Sequence, residues 1–263
     1  MIQLLSTLLL TVLVCATVAS AQSAAVEKEV VSALRGKTLT LKTFTKSGRI
    51  EFDETGQIRN KGENGSWTLY SRFLATKIDL SDTRLRITGP RIVHYRDAVQ
   101  KKLVGARSDV NLSVDIAINK GASAADVKAA IARVFVGDDG LASYVPNYWK
   151  PYLQGTSEPL RCTAPTQTVR VGGNVIAASL VSQVRPRYPD EAKSFRLQGV
   201  VVLQALITET GDVGQLIISE PAGAGLDESA VEAVLGWKYK PTLLQGAPVC
   251  VVTTITVNYA FSQ

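Results

Sequence analysis

Hydrophobic and polar residues follow two different rhythms in the last third of the chain. From Val251 to Tyr259, Ile255, Val257 and Tyr259 alternate with Thr254, Thr256 and Asn258; a period of two puts the apolar set on one face of a strand and the polar set on the other. Upstream, Val200 to Ile207 is β-branched and almost wholly apolar, and a second apolar run, Val213 to Ser219, follows Thr210-Gly211-Asp212. Turn chemistry between two such runs predicts a hairpin. Between hairpin and final strand the rhythm changes. Leu226, Ala230, Val231, Val234 and Leu235 recur at helical spacing, with Asp227 as the N-cap candidate, until Gly236 interrupts them. Ahead of the hairpin, Pro189 suits the first position of a helix and Gly199 a left-handed cap after Leu197, which predicts a short helix over roughly 190 to 197. The predicted order is helix, strand, strand, helix, strand.

The first half opens with a helical pattern, Ala25 to Leu34, and then becomes strand-rich. Thr38 to Phe44, Arg49 to Phe52, Gln57 to Arg59, Trp67 to Tyr70, Lys77 to Leu80, Arg84 to Thr88 and Ile92 to Tyr95 are short, partly alternating runs separated by Gly, Ser, Asn and Asp. Their close spacing predicts an antiparallel meander curling into a small open barrel or sandwich. Val110 to Ile118 is the clearest strand, with Leu112, Val114, Ile116 and Ile118 on one face. Ser123 then caps a helix that turns Ala124, Val127, Ile131, Val134 and Phe135 to the core.

Three short motifs lie within the second half in a definite order: Tyr188-Pro189 opening its first helix, Thr210-Gly211-Asp212 in the hairpin, and Trp237-Lys238-Tyr239-Lys240-Pro241 closing its second helix. The ordered set resembles the C-terminal domain of the TonB family, from about Val175 to Phe261. The resemblance implies an α+β domain with a three-stranded antiparallel sheet, and a binding module rather than an enzyme. It further implies that the last strand lies at a sheet edge and pairs with a short, TonB-box-like segment of an outer-membrane receptor. By position that strand is Val251 to Tyr259, with Val251, Thr254, Thr256 and Asn258 as contact positions, and Arg185 and Arg187 are the polar residues before Tyr188-Pro189 that assist. A packing role is the simpler reading of Tyr188 and Trp237. The transducers of this family carry a long Pro-rich spacer and a histidine in the membrane helix, and this chain has neither.

Composition sharpens the picture at the other end. Met1 to Ala21 has no charged residue, an apolar stretch from Leu4 to Val18, and Ala19-Ser20-Ala21 as a small-x-small cleavage signal. This reads as a secretory signal with maturation near Gln22 and a periplasmic protein, the alternative being an uncleaved inner-membrane anchor. Export leaves Cys162 and Cys250 as the mature cysteines, in a compartment where two thiols can pair. They sit just before two strand-like runs, Thr168 to Val171 and Val251 to Val257, and a bridge between them would hold the short run beside the final strand as a removable cover. Residues 22–150 carry 21 Lys and Arg against 14 Asp and Glu, a surplus of 7, whereas 151–263 carry 8 against 9. A surplus confined to the first half favours acidic surfaces such as lipid headgroups or envelope polymers, with no cluster dense enough for nucleic acid.

Catalytic signals are missing from the sequence. It holds no nucleophile elbow, no telling carboxylate pair and no phosphate-binding loop, since no helix opens after Gly62 to Gly65. The one histidine, His94, stands in a strand-like run, and neither cysteine has a partner at metal-ligand spacing, so no cofactor or metal is expected. Tyr144, Tyr148, Trp149 and Tyr152 form an aromatic cluster, read as filling a seam beside a linker over 154–174. The expected organisation is a signal over 1–21, a basic strand-rich domain over 22–153, the linker, and the TonB-like domain over 175–263. The alternatives are an envelope-polymer hydrolase in the first half or a structural envelope tether, with a homodimer left open.

Overall fold

The computed structural model describes residues 23–60, 62–137, 140–156, 159–162, 168–170 and 178–261. The expected signal over 1–21, and Val171 with the glycines after it, lie outside the described residues. The chain is mixed helix and strand. It divides into two compact units, one formed by the described parts of 1–64, 72–91 and 107–137, the other by those of 65–71, 92–106 and 138–263.

In the first unit, a helix over 23–34 (α1) precedes the strands β1 (Thr38–Thr40) and β2 (Arg49–Phe52). After the helix α2 (Trp67–Tyr70), which belongs to the second unit, come β3 (Arg72–Leu74), β4 (Lys77–Ser81), β5 (Arg84–Arg96), of which 84–91 lie in this unit, β6 (Leu103–Ala117), of which 107–117 lie in it, and the helix α3 (Ala124–Val134). The strands make one six-stranded sheet in the order β1-β3-β5-β6-β2, with β4 on β5. This replaces the expected barrel or sandwich, because β2 pairs with β6 in parallel, from Arg49 opposite Ser113 to Phe52 opposite Ile116, which no meander of hairpins produces. Phe73, Leu85, Ile87, Leu112, Val114 and Ile116 lie in the core with Val127 and Val134 of α3. Ser123 caps α3 as expected, in a reciprocal box with Asp126.

Three local readings are corrected. Gly89-Pro90 does not break β5, and Gly89 is needed there because a Cβ would lie 1.7 Å from the Leu74 carbonyl oxygen. Gln57 to Arg59 makes only an isolated bridge, Ile58 with Phe52. Trp67 to Tyr70 is a helical turn, not a strand. Ser66 accepts the Thr68 N–H at 3.2 Å and all four side chains are buried, so capping and burial outweigh their β propensity.

In the second unit, α4 (Lys150–Gln154), β7 (Thr168–Arg170), β8 (Leu180–Ser182) and α5 (Asp190–Ser194) lead to the hairpin β9 (Gly199–Ile207) and β10 (Val213–Glu220). Then follow α6 (Leu226–Leu235), the short strands β11 (Lys238–Tyr239) and β12 (Thr242–Leu244), and β13 (Ala247–Tyr259). The expected order of helix, strand, strand, helix, strand is present, and β10-β9-β13 is an antiparallel sheet. It is a sheet of five strands, not three, since β12 and β7 also pair with β13. The left-handed residue after α5 is Arg196, at φ 52°, while Gly199 is already in the strand and packs where a Cβ would come 2.8 Å from that of Ala222. Pro189 is the N-cap of α5, not its first turn, and α6 begins after Gly225 with Asp227 inside it.

Candidate functional site

The final strand is where the sequence placed the site, and its two edges differ. One edge pairs with β9 along its length, from Val251 opposite Ile207 to Tyr259 opposite Gly199. On the other, Val249 to Ala247 pairs with β12 and Cys250 to Val252 pairs in parallel with β7, Cys250 opposite Thr168. From Thr253 to Tyr259 no described strand occupies that second edge. Main-chain N–H and C=O groups on such an edge are a template for another extended chain.

Alternation sets the faces. Ile255, Val257 and Tyr259 are buried, whereas Thr254, Thr256 and Asn258 are exposed beside Gln204, Val202 and Val200 of β9. Val251 is wholly buried and so serves packing, not contact. Tyr188 is fastened at the far end of the strand. Its hydroxyl donates to the Leu197 carbonyl at 2.6 Å, while its ring stacks on Phe261 at 5.2 Å and meets Tyr259 edge-on at 5.5 Å. Burial pushes its hydroxyl pKa up. Arg187 pairs with Asp190 at 3.0 Å and Arg185 is exposed. The fold therefore brings Tyr188 to the strand and assigns Arg187 an ion pair at the start of α5.

At the other end of the strand, Cys162 and Cys250 have Cα atoms 6.2 Å apart and sulfurs at bonding distance, across 88 residues of sequence. Thr168 Oγ1 accepts the Cys162 N–H at 2.9 Å, tying the segment before β7 to β7 itself. Glu209 from the hairpin turn puts Oε2 3.1 Å from Cys250 Sγ and 3.4 Å from Cys162 Sγ. These three residues could gather a cation only as free thiolates. Bonded to each other, the sulfurs leave the carboxylate alone.

A second arrangement lies at the start of α6, and sequence reasoning missed it. The segment Pro221 to Gly225 is held by main-chain and hydroxyl contacts from 65–71 and 92–96. Ala224 N–H donates to the His94 carbonyl at 2.7 Å, Arg96 N–H to the Ala222 carbonyl at 2.8 Å, and Gly225 N–H to Thr68 Oγ1 at 2.9 Å. Gly223, at φ +84°, approaches so closely that a Cβ would be 2.3 Å from the His94 oxygen. Asp227, fully buried, accepts the N–H groups of Ala222 and Gly223 at 2.8 and 2.7 Å, and Glu228 accepts the Trp149 indole N–H at 3.0 Å. Burial pushes both carboxyls up, Asp227 well up, and the charge of Glu228 adds to it. Trp149 is wholly buried against Trp67, with ring centres 5.0 Å apart, and His94 packs on Trp67 at 5.4 Å. Of the aromatic cluster, Trp149 lies in the interior of the second unit, and Tyr144, Tyr148 and Tyr152 are half-buried. The signal that could have exposed this knot is Ala222-Gly223-Ala224-Gly225, a small-residue run of the kind that lets backbone approach backbone.

Comparison with known proteins bears on residues 184–261, which match the family model described as Gram-negative bacterial TonB protein C-terminal. Protein TonB of Vibrio cholerae is 36% identical over 73 residues, covering 27% of this chain and 30% of that protein. This chain thus spans less than a third of the length of that relative. Among solved structures, the solution NMR structure of the Pseudomonas aeruginosa TonB CTD aligns over 36% of this chain and 95% of that one, at 16% identity and a TM-score of 0.29. The motif set that resembles TonB lies within the matched residues, from Tyr188 to Pro241. Residues 184–261 of this chain are thus similar to the TonB C-terminal domain.

Proposed function

We propose that the second unit is a protein-binding module of the cell envelope that takes an extended segment of an outer-membrane receptor as an added strand along β13. The observation that carries this is the edge from Thr253 to Tyr259, unpaired among the described residues and set in the stretch similar to the TonB C-terminal domain. An incoming strand finds main-chain donors and acceptors there, while the exposed Thr254, Thr256 and Asn258 offer polar contacts for its alternate side chains. Tyr188 with Phe261, which is 39% exposed, offers a ring platform where the strand ends. The activity is binding and not catalysis. With the apolar segment before Gln22 as an export signal, the protein acts in the periplasm, where Cys162 and Cys250 form a disulfide and β7 covers the first part of the edge.

Hydrogen exchange on the full chain tests this, with a synthetic receptor segment as the added strand. Alternate amides between Thr253 and Tyr259 face away from β9 and should exchange at least about tenfold more slowly when the peptide is bound, since each enters a ladder. Protection elsewhere with none along this edge would place the partner on another surface. A proline scan supplies the parity. At positions whose N–H faces outward, proline should abolish binding and leave the fold intact, while at the alternate positions it breaks the β9 ladder and lowers stability.

A further inference from the structure

The outer face of the first unit's sheet concentrates arginine around one buried carboxylate. In β2, β5 and β6 alternation sends Ile50, Leu85, Ile87 and Val114 to the core, which puts Arg49, Arg84, Arg86 and Asp115 on the opposite face. Asp115 has only 6% of its side chain exposed. Arg86 reaches it with Nε at 2.6 Å and Nη2 at 3.0 Å, a bidentate fork, and Arg49 adds Nε at 2.7 Å. Arg84 stands at 3.8 Å, its one ion pair among the described residues.

One fork is enough to neutralise one carboxylate. Burial pushes the Asp115 carboxyl up, but the Arg86 and Arg49 hydrogen bonds outweigh it and hold the pKa below the usual range. Asp115 is therefore a fixed anion that positions three cations and cancels one of their charges, leaving two. Glu51 takes up part of this, accepting from Arg49 at 2.9 Å, and Arg59 on the rim is already paired with Glu54. Arg84 remains weakly compensated and 48% exposed. It lines an open cavity of about 380 Å³ together with Arg49, Arg59, Thr83 and the two carboxylates Glu51 and Asp115. Like charges gathered in a concave surface repel one another, and the same geometry focuses a positive potential on anything that enters.

We propose that this cavity binds a phosphate group, with the guanidinium groups of Arg84 and Arg49 and the Thr83 hydroxyl taking its oxygens and Asp115 acting as the anchor beneath them. Guanidinium forks match the oxygen spacing of phosphate and cannot be deprotonated away. A cavity of this volume admits a free phosphate or a phosphorylated headgroup. The inference stands on the first unit alone and is independent of strand addition along β13.

The test uses the full chain, inorganic phosphate measured by calorimetry, and sedimentation with vesicles of phosphatidic acid against vesicles of phosphatidylcholine. Saturable binding of phosphate alone identifies a free ligand. Binding to phosphatidic acid that phosphate competes away identifies a headgroup, and either result supports the site. Arg84→Gln should weaken binding at least about tenfold, the order expected for losing one charge-assisted contact, while Lys128→Gln, exposed on α3 and outside the cavity, removes the same charge without effect. Circular dichroism and thermal unfolding check that each variant folds, and Arg49→Gln serves if Arg84→Gln does not. No saturable binding of either probe, or equal losses in the Arg84 and Lys128 variants, overturns the proposal.

Discussion

At the scale of single residues, the most consequential side chains of the second unit are two adjacent acids that no motif announced. Asp227 replaces solvent for two main-chain N–H groups, and Glu228 orients Trp149, so both are structural acceptors. Because burial raises their pKa values, the folded chain holds these protons more tightly than the unfolded chain does. Their contribution to stability is full below the ordinary carboxylate range, near pH 4, and is lost as pH rises through the raised folded values. Glu228→Gln keeps an acceptor for the Trp149 indole and removes the buried charge. It should be more stable than the parent at pH 8 and should flatten the loss of stability as pH rises from the ordinary carboxylate range to pH 8. Urea unfolding across that range measures it. A variant less stable than the parent at pH 8 would mean that the indole's bond to the charged carboxylate outweighs the cost of burying it.

At the scale of elements, β13 is defined by what lies on its second edge. Among the described residues β7 pairs with Cys250 to Val252, and the end of the expected covering run, Val171, lies outside them. A three-residue parallel pairing is weak by itself, and the cysteines at its start hold it in place. A disulfide closing this loop, with 88 residues of separation, contributes up to about 4.5 kcal/mol in the chain-entropy description. Thiol titration of unfolded, non-reduced protein that begins near Gln22 should therefore find no free thiol. Two free thiols per chain would refute the bridge. Reduction should also speed peptide capture if β7 restricts the edge, and unchanged capture rates would leave β7 as a staple with no gating role.

At the scale of the whole molecule, the TonB C-terminal domain is matched over 184–261, yet the compact unit that contains it draws on 65–71, 92–106 and 138 onward. The expected boundaries at 153 and 175 follow the sequence, whereas the packing follows Trp67, Thr68, His94 and Trp149, all of which reach the start of α6 or its neighbours. An isolated 170–263 fragment lacks all of these. Losing the contacts of a wholly buried tryptophan alone costs on the order of 3 kcal/mol, so the fragment should unfold at a markedly lower temperature than the full chain. Thermal unfolding of both gives the comparison. Equal midpoints would show that the earlier segments add nothing to the domain's stability.

What could be read without the fold was local. The hairpin around Thr210-Gly211-Asp212, the alternation of the final strand and the Ser123 cap each depend on neighbours within a few residues, where turn geometry and side-chain period act directly. The exposed polar face of the final strand, Thr254, Thr256 and Asn258, was legible for the same reason. Tertiary structure decided what depends on distant partners. Burial under Trp149 turned the strand-like Trp67 to Tyr70 into a helical turn, and main chain from 92–96 reserved Ala222 to Gly225 for close approach. Three arginines from two strands met one aspartate from a third only when β2 joined β6 in parallel and β5 flanked it on the other side. Periodicity specifies which face a residue occupies, but the strand that lies beside it is chosen by burial and hydrogen bonding summed over the whole sheet, and that sum is not written in any one segment.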